Sequence, residues 1–67
     1  METWNGSNYA DDFRGYNVAI HVNASGAFTH GFPTDIEGIF ISCYSSSVTQ
    51  QTYYAVNGNL YTRVGKD

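Results

Sequence analysis

Between Tyr16 and Val22 apolar and polar positions alternate without a break. Tyr16, Val18, Ile20 and Val22 fall on one side, and Asn17, Ala19 and His21 on the other. A two-residue period of this kind predicts a half-buried strand. Asn23-Ala24-Ser25-Gly26 then closes it with turn chemistry. A second strand is predicted from Gly38 to Tyr44, with Ile39, Ile41 and Cys43 on one face and Phe40, Ser42 and Tyr44 opposite. Both faces are largely apolar, which points to a central strand covered on both sides. Ser45-Ser46-Ser47 makes the next turn. A third strand follows from Val48 to Val56, with Thr49, Gln51, Tyr53 and Ala55 sharing a face.

Asn57-Gly58 is the sharpest local signal in the chain. A two-residue type I′ turn needs positive φ at both central positions, and Asn and Gly tolerate that best. The turn joins the third strand to a fourth, Asn59–Val64, on which Tyr61 and Arg63 share a face. The stretch from Ala27 to Glu37 holds His30, Phe32 and the single proline, Pro33, and reads as an irregular connection with aromatic anchors. No segment keeps a 3.6-residue period over ten positions. The fold class is therefore all-β, a small antiparallel meander of about four strands. Residues 1–10 carry no period and read as a leader or the end of an upstream shaft, with Trp4 as their one large anchor. Residues 11–67 form the domain.

Composition narrows the class. Of 67 residues 42% are hydrophobic and 13% charged, and the net charge is −3 with three basic side chains. A nucleic-acid partner is excluded on this reading, because counterion release needs clustered Lys and Arg. Membrane insertion is excluded as well, since no apolar run approaches the ~20 residues of a spanning helix. No basic-then-apolar leader of the secretory kind is present. A chain this short buries only about 60% of its unfolded surface. Such scaffolds add disulfides, a metal or a partner chain. Cys43 is the single cysteine, so it has no partner within the chain and reads as a small buried hydrophobe. Oligomerisation is then the expected support. Ser, Thr, Asn and Gln fill 20 of the 67 positions, and neutral groups of this kind are easier to bury between chains than charges.

The segments Gly38-Ile39-Phe40-Ile41, Val48-Thr49-Gln50-Gln51-Thr52-Tyr53-Tyr54 and Asn57-Gly58-Asn59-Leu60-Tyr61-Thr62-Arg63 together resemble the pyocin-knob type of domain. That domain sits at the tips of phage tail fibres, tailspikes and R-type pyocin fibres. Tyr16 to Ile20 and the Pro33 loop fall where the family has its first strand and a proline-containing connection, so the resemblance extends over residues 12 to 67. Family members usually continue into a Trp-containing final strand, whereas this sequence stops at Asp67. The resemblance implies a knob-like, homotrimeric, non-catalytic tip domain of a virion, used in adsorption to a host cell-surface polysaccharide or lipopolysaccharide and in fibre assembly. A purely structural module for trimerisation or folding assistance is the alternative, and a piece of a polysaccharide-degrading tailspike with its catalytic residues upstream is a third.

Glycoside hydrolysis needs a pair of carboxyls about 5 to 10 Å apart. Asp11-Asp12, Asp35 and Glu37 are the only acidic candidates besides the terminal ones, and they read as turn formers or solvated charge. His21 and His30 lack paired ligand spacing, although in a symmetric trimer either would form a ring of three imidazoles. No metal site and no cofactor are expected. Sugar binding is served by aromatic rings for the apolar faces and by Arg, Asn and Gln for the hydroxyls. Trp4, Tyr53, Tyr61 and Arg63 are the glycan-binding candidates. The alternative for all four is cross-strand packing or contact between chains.

Overall fold

The computed structural model describes residues 1–23 and 25–66, with the backbone alone at 65 and 66. Five strands form one sheet in the order of the chain: β1 (Glu2–Thr3), β2 (Val18–Val22), β3 (Gly38–Ser45), β4 (Val48–Ala55) and β5 (Leu60–Lys66). β2 to β5 are antiparallel neighbours, as the alternation predicts. Two single 3-10 turns, Ala10–Phe13 and Phe28–His30, are the helical elements among the described residues. No helix there is long and apolar enough to cross a membrane.

Part of the segment read as a leader or the end of an upstream shaft joins the sheet. Glu2 and Thr3 lie parallel to Ile20 and His21 in β2, and the Trp4 amide donates to the His21 carbonyl at 2.8 Å. Trp4 is 5% exposed. Its indole N–H donates to the Asn8 carbonyl at 2.8 Å, so the one polar atom of the ring is paired inside the fold. An isolated two-residue strand has too few residues to show a period, and this is why the segment looked unpatterned.

Both long connections lie over the same face of the sheet. Trp4, Ala10 and Phe13 from the first and Ala27 and Phe32 from the second pack on Ile20, Val22, Phe40, Tyr53 and Ala55. The aromatic rings meet in series: Trp4 against Phe32 at 5.4 Å, Phe32 against Phe40 at 5.0 Å, and Tyr53 against Tyr61 at 6.4 Å. Edge-on contacts of this kind add to the burial of the rings. β3 is central, but only this face is covered. Ile39, Tyr54, Leu60 and Val64 are exposed on the other, against the expectation of a strand buried on both sides. Cys43 is exposed there too, not buried. Tyr16 precedes β2 and is exposed.

The turns exchange roles. Ser45 pairs with Val48, so Ser46-Ser47 is the two-residue loop, and both serines have positive φ (52° and 69°), as type I′ requires. Asn57-Gly58 instead belongs to a three-residue loop. The Gly58 amide donates to the Ala55 carbonyl and the Ala55 amide to the Asn59 carbonyl, each at 3.0 Å. Only Gly58 in this loop has positive φ, at 95°, which is a type I turn followed by a left-handed glycine. Gly38 opens β3 for a different reason. A Cβ placed on it would stand 2.5 Å from Tyr53 Cε1 and 2.6 Å from the Tyr54 carbonyl oxygen.

Candidate functional site

Beside β5, on the covered face, a cleft of about 310 Å³ opens. Phe40 and Tyr53 line it from the central strands, Tyr61 and Arg63 from β5, and Ala10, Gly31 and Pro33 from the two connections. The volume lies at the lower end of small-ligand pockets.

The residues reach this cleft through the register. Ser42 on β3, Gln51 on β4 and Arg63 on β5 stand side by side across three strands. They form one polar row among aromatic neighbours, and every partner is satisfied. Arg63 Nε donates to Gln51 Oε1 at 2.6 Å. Gln51 Nε2 donates to the Ala10 carbonyl at 3.0 Å and to Ser42 Oγ at 3.2 Å. Ser42 Oγ donates to the Phe13 carbonyl at 3.0 Å. The guanidinium then reaches the first connection, where Arg63 Nη2 meets Asp11 Oδ1 at 2.6 Å. Gln51 and Ser42 are buried, and among the described residues no buried side-chain polar atom lacks a partner. A fully satisfied row of this kind holds its side chains in place.

Of the four sugar-binding candidates, Tyr61 and Arg63 come together at the cleft, half-buried and exposed respectively. Tyr53 is its floor and is 1% exposed. The Tyr53 hydroxyl donates to the Ile36 carbonyl at 2.6 Å, which commits its polar end to the fold. Burial, reinforced by the negative charges of Glu37 and Asp35, raises that hydroxyl above its ordinary value of 10.0. Trp4 belongs to the core and not to the cleft.

The other polar candidates are held by the fold. Asp12 Oδ2 accepts from the Tyr9 amide at 2.7 Å, and Asp35 Oδ1 from the Phe28 amide at 2.8 Å. Glu37 Oε2 lies 2.6 Å from His21 Nε2. His30 Nδ1 is 2.7 Å from the Gly26 carbonyl oxygen, and its ring stands against Trp4 and Tyr9. Among the described residues no three His, Cys, Asp or Glu side chains are grouped to hold a metal.

Three members of the site were missed by sequence reasoning. Asp11 looked like a turn former, and Ser42 and Gln51 like two of many neutral polar residues. The sequence signal for Gln51 was its place two residues before Tyr53 on an otherwise buried face. For Asp11 there was none, because its partner lies far along the chain. No family model matches the chain, and no curated protein or solved structure matches it either.

Proposed function

We propose that this chain is a non-catalytic, carbohydrate-binding β domain of a phage tail fibre or tailspike. It would assemble as a homotrimer in the virion and hold host cell-surface glycan in the cleft beside β5. The observation that carries the binding reading is the meeting of Tyr61 and Arg63 in one cleft with a rigid polar row behind them. The Tyr61 ring offers an apolar face for a pyranose, and Arg63 offers N–H donors to hydroxyls at its rim. The virion setting and the threefold assembly rest on the resemblance of the strand and hairpin segments to pyocin-knob domains. The carboxylates Asp11, Asp12, Asp35 and Glu37 are each engaged by structural partners, which supports binding over hydrolysis.

The test is titration of the isotope-labelled chain with oligosaccharides cut from host surface polysaccharide and lipopolysaccharide. Saturable shifts of the Pro33-flanking, Tyr61 and Arg63 amides are expected, weakened about tenfold or more by Tyr61→Ala, as loss of a buried aromatic contact implies. No saturable shift up to millimolar sugar, or shifts that Tyr61→Ala leaves intact, overturns the binding reading.

The purely structural alternative has its own support in the uncovered apolar face of the sheet. It expects association between chains and no response to sugar.

A further inference from the structure

The sheet has two faces and the chain covers one. On the other, Ile39, Tyr54 and Leu60 lie in register as one apolar row across β3, β4 and β5, with Tyr54 49%, Leu60 60% and Val64 68% exposed. Both long connections are spent on the opposite face, so no described segment of the chain folds back over this one. We infer that the open face is an interface between copies of this chain, packed sheet against sheet.

Two observations select a copy of the chain as the occupant. The first is charge. Apart from His21, no open-face register position from the Ile39–Tyr54–Leu60 row to the Cys43–Gln50–Val64 row carries a charged residue, and His21 is itself paired with Glu37. A net charge of −3 opposes self-association elsewhere on the surface, but here two copies meet without like charges opposed. Across those rows a basic or acidic partner has no charge to pair with besides His21.

The second is area. Four strands spaced about 4.8 Å apart, each giving about six residues at ~3.3 Å, make a flat footprint of roughly 400 Å² per copy. Side-chain relief on both copies brings the total surface removed from water to about 1,000 Å², the threshold for a specific interface. Sheets stacked face to face interdigitate their side chains about 10 Å apart, and this face presents alternating large and small residues for that: Tyr54 beside Thr52, and Leu60 beside Thr62. A face that meets its own copy pairs chains in twos, so this contact is separate from the threefold assembly of the proposed function, and it does not depend on sugar binding.

Sedimentation equilibrium of the full chain, from micromolar to millimolar, tests it together with amide shifts on dilution. A mass above one chain is expected, with dilution shifts confined to open-face residues such as Ile39, Tyr54 and Thr62. Thr62→Glu, which would bury an unpaired charge midway along β5, is expected to weaken association about tenfold or more. Ser7→Glu, an equal charge on the covered side, is expected to leave it unchanged. Circular dichroism on each variant establishes that the sheet is intact. Should Thr62→Glu fail to fold, the dilution map on the parent chain decides alone. A single-chain mass throughout overturns the inference, as do dilution shifts on the two connections instead of the face, or an associated and folded Thr62→Glu. Sugar titration is read separately, so loss of the glycan reading leaves this one standing.

Discussion

Asp11 and Arg63 stand 52 positions apart in the chain and meet at 2.6 Å. The pair latches the first connection onto the edge strand and aims the guanidinium at the rim of the cleft. Its side chains are 68% and 44% exposed, so the charge attraction itself is worth no more than about 1 kcal/mol. The buried amide behind it matters more. Gln51→Leu leaves the Ala10 carbonyl and Arg63 Nε without their partner, at a cost of about 1–3 kcal/mol. Asp11→Asn is therefore expected to lower thermal stability slightly and Gln51→Leu clearly. The two melting temperatures, compared with the parent, check the order.

Gly38→Ala is expected to destabilise the domain by about 1–3 kcal/mol or more, the range for forcing extra atoms into a packed site. The added Cβ meets both the Tyr53 ring and the Tyr54 carbonyl oxygen, and a backbone atom in the middle of a sheet cannot move aside. Denaturant unfolding reads the change, and an unchanged midpoint would contradict the close approach.

The two hairpin loops respond in opposite directions. Ser46 and Ser47 hold a left-handed backbone that costs L-residues roughly 1–2 kcal/mol each. Ser46→Asn with Ser47→Gly is expected to raise the melting temperature by several degrees, since about 1 kcal/mol moves a domain this small by about 4–8 °C. Gly58→Val is expected to lower it by a similar amount, through backbone strain alone, because nothing lies within 4 Å of the added atom. Gly6 also has positive φ, at 81°, so Gly6→Val carries the same backbone penalty.

Trp4→Ala is expected to cost about 3–5 kcal/mol, a large share of the stability of a 67-residue domain. Removal of residues 1–9 takes the same ring and β1 together, and is expected to leave the chain unfolded or molten by near-UV circular dichroism. A truncated chain that melts like the parent would return this segment to the status of a leader.

The raised Tyr53 hydroxyl makes a pH prediction. Its folded value lies above the unfolded one, so the associated stability is complete below about pH 10 and is lost as pH climbs through the folded value. Tyr53→Phe is expected to flatten this alkaline fall. At neutral pH it costs about 1 kcal/mol, because the Ile36 carbonyl loses its donor. Urea midpoints of both chains from pH 7 to 11 separate the two effects.

Alternation alone placed the four main strands and sorted their residues into faces, because a two-residue period is a local property of extended backbone. Turn residues located both hairpin turns, and the period set Tyr61 and Arg63 on one side of β5. What it did not decide was which face became the core. Ile39 and Phe40 are equally apolar, and the choice was made by Trp4, Phe13 and Phe32 arriving from connections with no period to read. Nor did it decide the register of β5. A two-residue turn at Asn57-Gly58 would have set Tyr61 opposite Tyr54, on the open face. The three-residue loop sets it opposite Tyr53 and brings Arg63 beside Gln51. Both loops satisfy local turn chemistry, so the decision fell to contacts available only in the assembled fold: the buried Gln51 amide and the Asp11 carboxylate on one side, and the Tyr53 ring on the other.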